Sequence, residues 1–137
     1  TGQDLAGAQE KMKQLLLVSL GGMLGANFRY LLMLVIENFF HTGSNFSVFA
    51  INILGCFLLG LLTSVIDDPE HPLRQLGIIG FLGSFTTFST FVALISGSLL
   101  EGRFSSALGF GLFEPIAGVA AFSIGMMMGR KFILQPA

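Results

Sequence analysis

The sequence predicts an all-α membrane protein of four transmembrane helices, the third of them broken. Three observations carry this. Only 11% of the 137 residues are charged, against roughly 25% in a soluble domain. Hydrophobic residues make up 53% of the chain, and mean hydropathy is +0.79. They gather in four runs, around residues 14–40, 46–66, 76–100 and 104–129, and a bilayer crossing takes about 20 residues. The third run holds Gly80-Phe81-Leu82-Gly83-Ser84-Phe85-Thr86-Thr87-Phe88-Ser89-Thr90-Phe91. That stretch is dense in glycine, hydroxyl and phenyl groups, and a span that only fills lipid does not need them. Gly80 and Gly83 allow a bend or a break. Broken helices are tolerated at membrane depth where the freed backbone is buried in protein or lines a polar cavity.

Four spans place one transmembrane domain over residues 14–131 and leave no room for a soluble domain of ordinary size. Residues 1–13 are polar and read as a disordered tail or a segment foreign to the native chain. Residues 132–137 read as a C-terminal tail. The first apolar run is too long for a cleavable signal peptide, and no small-residue cleavage site follows it. A net charge of −1 gives no footprint for nucleic acid. Cys56 is the only cysteine and reads as inert packing in mid-span. His41 and His71 are isolated near span ends. No nucleophile–histidine–acid set is present, so enzyme chemistry is not expected.

In the first span, Gly21 and Gly25 are four apart, a spacing that lets another helix approach closely. Arg29 lies inside the span, where a charge faces a partner, a cavity or, by snorkelling, the interface. Glu37 reads as interfacial. The second span carries Asn52, whose amide is either an interhelical hydrogen-bonding group or an N–H donor aimed at an anion. The loop from Asp67 to Arg74 holds two prolines and five ionisable residues.

In the third span, Thr86, Thr87, Ser89 and Thr90 bring hydroxyls where water is absent. Phe88 and Phe91 are three apart, near one helix face. Ring edges are electropositive and can meet an anion, and freed carbonyls at a break can hold a cation. Close helix packing explains the same composition equally well. The fourth span carries Glu114 followed by Pro115. The proline is expected to break or kink the helix. Glu114 is neutral and hydrogen-bonded, paired with a cation, or facing water.

Four motifs occur in order: Gly21-Gly22-x-x-Gly25-Ala26-x-x-Arg29-Tyr30, Asn52-x-x-Gly55, Gly80-Phe81-x-Gly83-x-x-Thr86-Thr87-Phe88-Ser89-Thr90-Phe91, and Glu101-Gly102-Arg103-Phe104. Together they resemble the small four-helix bacterial fluoride channels of the CrcB/Fluc family, over about residues 13–131. The third motif is the specific one. The resemblance implies passive fluoride efflux across the bacterial inner membrane. It implies an antiparallel dimer, with the second subunit inserted in the opposite orientation. Phe88 and Phe91 match the family's pore phenylalanines and Asn52 its pore asparagine, with Thr87, Ser89 and Thr90 beside them along the ion pathway. Gly83 and Thr86 match positions whose backbone carbonyls hold a central structural Na⁺. Arg29 matches the first-span arginine and, with Glu114, takes a vestibule or structural role.

The chain departs from the family pattern in two places. Val92-Ala93-Leu94 stands where Ser-Ala-Glu is usual, so a glutamate is missing. In the fourth span Phe110, Glu114 and Gly118 stand where polar residues usually recur every four positions. Charge adds a further clue. Lys11, Lys13, Arg74, Arg130 and Lys131 fall on one side of four spans, and Arg103 falls on the other. This favours cytoplasmic termini. Bias and lost polar positions together suggest one half of a heterodimeric channel, with an ordinary homodimer as the alternative. Two other functions stay open: a proton-coupled small-molecule exporter using Glu114, and a non-conducting accessory subunit.

Overall fold

A computed structural model describes residues 2–41 and 43–134. Four segments are long and apolar enough to cross a membrane: Gly2–Phe40, Ser44–Val65, Arg74–Leu100 and Phe104–Lys131. No strand occurs among the described residues.

Helix α1 is Gly2–Phe40. It starts well before the first apolar run, so residues 2–13 are helical where an irregular tail was expected. The reason is local: Leu5, Ala6, Ala8, Gln9, Glu10, Lys11 and Met12 are strong helix formers. Lys13 also lies 3.5 Å from Glu10, one turn away. His41, at φ 51°, ends the helix in a left-handed conformation. Helix α2 is Ser44–Val65, and a polar loop follows in which Arg74 Nη1 donates to the Ile66 carbonyl at 2.6 Å.

The third span comes in pieces. Arg74–Leu82 is π-wound, and α3, Gly83–Phe85, adds one α-turn. Thr86 and Thr87 are extended, and α4 runs over Phe88–Leu100. Helical winding therefore stops at Thr86–Thr87, not at Gly80 or Gly83. Those two glycines are helical, and Gly80 serves packing. A Cβ there would lie 2.6 Å from the Val18 carbonyl oxygen of α1. Gly21 and Gly25 answer from α1, where a Cβ would strike the backbone of Leu76 and Phe81.

Helix α5, Phe104–Leu134, carries Pro115 inside it without interruption. The expected break is absent there. A proline costs one intrahelical hydrogen bond, and in a bundle the neighbouring helices keep such a helix in place. Residues 132–134 extend α5; the rest of the expected C-terminal tail, 135–137, lies outside the described residues. α5 packs along α2 through Gly60 and Gly125, each too close to the opposite backbone for a side chain.

Ile51, Leu82 and Phe85 form the buried core, with Leu58, Leu62 and Phe81 against them. Phe81 and Phe85 stack with ring centroids 5.7 Å apart. Most other large apolar side chains point outward, among them Leu16, Leu24, Leu31, Ile116 and Val119. In a bilayer this outer surface meets lipid, whose chains are as apolar as leucine.

Candidate functional site

The polar centre of the molecule is built around Asn52. Its Oδ1 accepts the Thr87 N–H at 2.8 Å, and its Nδ2 donates to the Thr87 carbonyl at 3.3 Å. A side-chain amide thus pairs with a peptide group as a neighbouring strand would. That pairing holds two residues extended between two helices. In an unbroken helix the Thr87 N–H would donate to the Gly83 carbonyl. Diverting it to Asn52 releases that carbonyl.

Phe85, 1% exposed, anchors the chain just before the extended residues. Thr86 donates its hydroxyl back to the Leu82 carbonyl at 3.0 Å. Thr87 is the N-cap of α4, its Oγ1 accepting from the Thr90 N–H at 3.2 Å. The same hydroxyl donates to Thr90 Oγ1 at 3.0 Å and lies 3.3 Å from Ser89 Oγ. The first-turn N–H groups of Phe88 and Ser89 have no intrahelical acceptor, and the dipole makes that end of α4 positive.

A groove of about 420 Å³ opens beside this centre, between α2, the start of α4 and α5. It brings together Asn52, Thr86, Thr87, Phe88, Phe91 and Glu114. The two rings lie 5.8 Å apart and tilted by 42°. Phe91 is 8% exposed, whereas Phe88 is 77% exposed and projects from the chain. Glu114, 7% exposed, receives the second Nδ2 hydrogen of Asn52 at 2.6 Å. Glu114 thus accepts a hydrogen bond from Asn52 and also lines the groove.

Other residues singled out above lie apart from the groove. Ser89 is exposed and Thr90 half-buried within the cap of α4. Arg29 is half-buried on α1, outside the groove lining. Gly83 is on the helical side of the interruption. Sequence reasoning named Asn52 and Glu114 singly and missed that they meet. The available signal was that each is a polar group in an apolar span and needs a partner. Cys56 and Gly118 also line the groove.

A bundle of four helices long and apolar enough to cross a membrane, with polar groups gathered at an interruption in one of them, is the architecture of a multi-pass membrane protein with a polar site at membrane depth. The chain belongs to the family described as CrcB-like protein, Camphor Resistance (CrcB), whose model matches residues 16–126. It is 36% identical over 125 residues to the fluoride-specific ion channel FluC of Chloroflexus aurantiacus, covering 88% of this chain and 98% of that one. The protein of the same name from Prosthecochloris aestuarii is 39% identical over 57 residues, covering 42% of this chain and 44% of that one. Its namesake from Shewanella sp. is 43% identical over 51 residues, covering 37% and 41%.

Proposed function

We propose that this chain is a subunit of a fluoride channel that lets F⁻ pass down its gradient, out of the bacterial cytoplasm across the plasma membrane. One observation supports the reading above the rest. An amide, a positive helix end and two phenyl rings converge on one groove at the interruption of the third span. Fluoride is small and tightly hydrated, so a path must replace its water. N–H donors, ring edges and the α4 dipole are groups that favour an anion without carrying full charge. A full positive charge would bind the ion too well to release it.

A second subunit completes the channel, inserted in the opposite orientation, as a copy of this chain or a paralogue. Phe88 supports this, since it projects from the chain and a partner can cover it. The termini face the cytoplasm, on the excess of Lys and Arg at that side. A structural Na⁺ is held at the dimer centre by the Gly83 and Thr86 carbonyls. The released Gly83 carbonyl and the extended conformation at Thr86 fit such a role. Carbonyl oxygens are the hard ligands that an alkali cation takes, and bound there it would neutralise the unpaired carbonyl dipoles.

The test is fluoride efflux from liposomes. Phe88→Ile and Phe91→Ile, made separately, are expected to cut efflux at least about tenfold while the variants still elute as the wild type does. That loss corresponds to about 1.4 kcal/mol of lost stabilisation of the ion in transit. Undiminished efflux in both would remove the rings from the path.

A further inference from the structure

Asn52 has no spare donor. Its two Nδ2 hydrogens go to the Thr87 carbonyl and to Glu114, and its Oδ1 accepts the Thr87 N–H. The amide cannot be turned over to free one. Reversal would set Oδ1 against a carbonyl and a carboxyl, and NH₂ against an N–H. In the proposed channel this amide should meet the permeant anion, yet a carboxyl oxygen already sits 2.6 Å from it. A carboxylate and fluoride ask for the same thing, an N–H to accept from.

We propose that Glu114 is a tethered anion that occupies the place of fluoride at the Asn52 amide, so that fluoride passes only when this carboxyl is protonated. The inference rests on the fluoride-channel reading. Glu114 is almost wholly buried and lines the same groove as Asn52 and the two rings. No lysine or arginine pairs with it among the described residues. From α2 it faces Asn52 and the Cys56 thiol; from α4 it faces Phe88 and Phe91, which carry no charge. On α5 itself, residues 110–118 hold no other ionisable group. An ionised Glu114 therefore has no side-chain counter-charge among the described residues. It saturates the donor and repels a second anion in a medium that screens poorly. Protonation removes the charge and supplies an O–H that can donate to fluoride. The groups that select the anion and the group that admits it are then one hydrogen-bonded unit.

Fluoride current across a planar bilayer tests this, since neutral HF carries none. Wild type, Glu114→Gln and Glu114→Ser are compared between about pH 5 and 8, the range in which such a switch would act in a cell. Wild-type current should fall with rising pH. The alkaline limb should lose about tenfold per unit, the slope of a one-proton requirement. Glu114→Gln should conduct with no pH dependence, because its side chain cannot ionise. Glu114→Ser should also be flat with pH, which guards against a fault peculiar to the longer amide. A flat wild-type profile overturns the proposal, and so does a Glu114→Gln profile that follows the wild type. Loss of current in both variants, each eluting like the wild type, also overturns it. If the wild type conducts and Phe88→Ile abolishes the current while pH and Glu114 do nothing, the gate alone fails. If no form, alone or with its partner subunit, carries fluoride at any pH, the channel reading fails first.

Discussion

Asn52 does the work of a backbone strand with a side chain. It bonds both polar groups of Thr87 and reaches across to Glu114 on a different helix. Asn52→Ala would leave the Thr87 N–H and carbonyl without partners in a region without water. Each unsatisfied group costs about 1–3 kcal/mol. The variant should therefore melt clearly below the wild type in detergent, and Asn52→Ser should not restore it, being too short to bridge both groups. An unchanged melting temperature for Asn52→Ala would mean that the extended residues hold their shape without the amide. Which single residues are chemically out of place was legible from the sequence, because an amide, an acid and a cluster of hydroxyls stand out in apolar runs. Their pairing was not. Asn52 and Glu114 lie 62 positions apart, and each had several chemically sensible partners.

At the scale of elements, the four apolar runs give four membrane-spanning segments, because length and hydropathy fix that outcome. The details went otherwise for physical reasons. Gly80 has the freedom to bend a helix, but close approach to α1 fixes its use, and winding instead stops where Asn52 can claim Thr87. Pro115 removes one hydrogen bond, and α5 runs through it. Residues 2–13 are polar, and polarity alone does not prevent a helix made of good helix formers. The small-residue spacing in α1 was readable and is used: Gly21 and Gly25 carry the contact with the π-wound segment. Gly25→Leu should drive a side chain into the Phe81 backbone. Overpacking typically costs about 1–3 kcal/mol, and a backbone clash has little room to relax. Thermal unfolding and the yield of folded protein should both drop. Gly97→Ala, at a helical position where a Cβ meets nothing within 4 Å, is the control and should lower neither. Equal behaviour of the two variants would show that this contact does not hold α1 in place.

For the whole molecule, a short chain buries a small core and turns most of its apolar surface outward. Lipid accounts for much of that surface. The projecting Phe88 ring and the groove beside it are where a second subunit would add most. The sequence pattern carried the family, because the third-span motif combines residue types that ordinary spans lack. It did not carry the occupied state of the Asn52 amide, which depends on how α2 and α5 pack. Fluoride conduction by this fold depends on one physical claim, that uncharged donors and ring edges at an interrupted helix can take fluoride out of water. Purified protein in a planar bilayer, held at the acid end of the range with fluoride on one side and chloride on the other, tests this most directly. The expected result is a current carried by fluoride, with the reversal potential close to the fluoride equilibrium value and chloride contributing almost nothing. A folded, inserted protein that, alone and with its partner subunit, passes neither ion, or passes both equally, would contradict it.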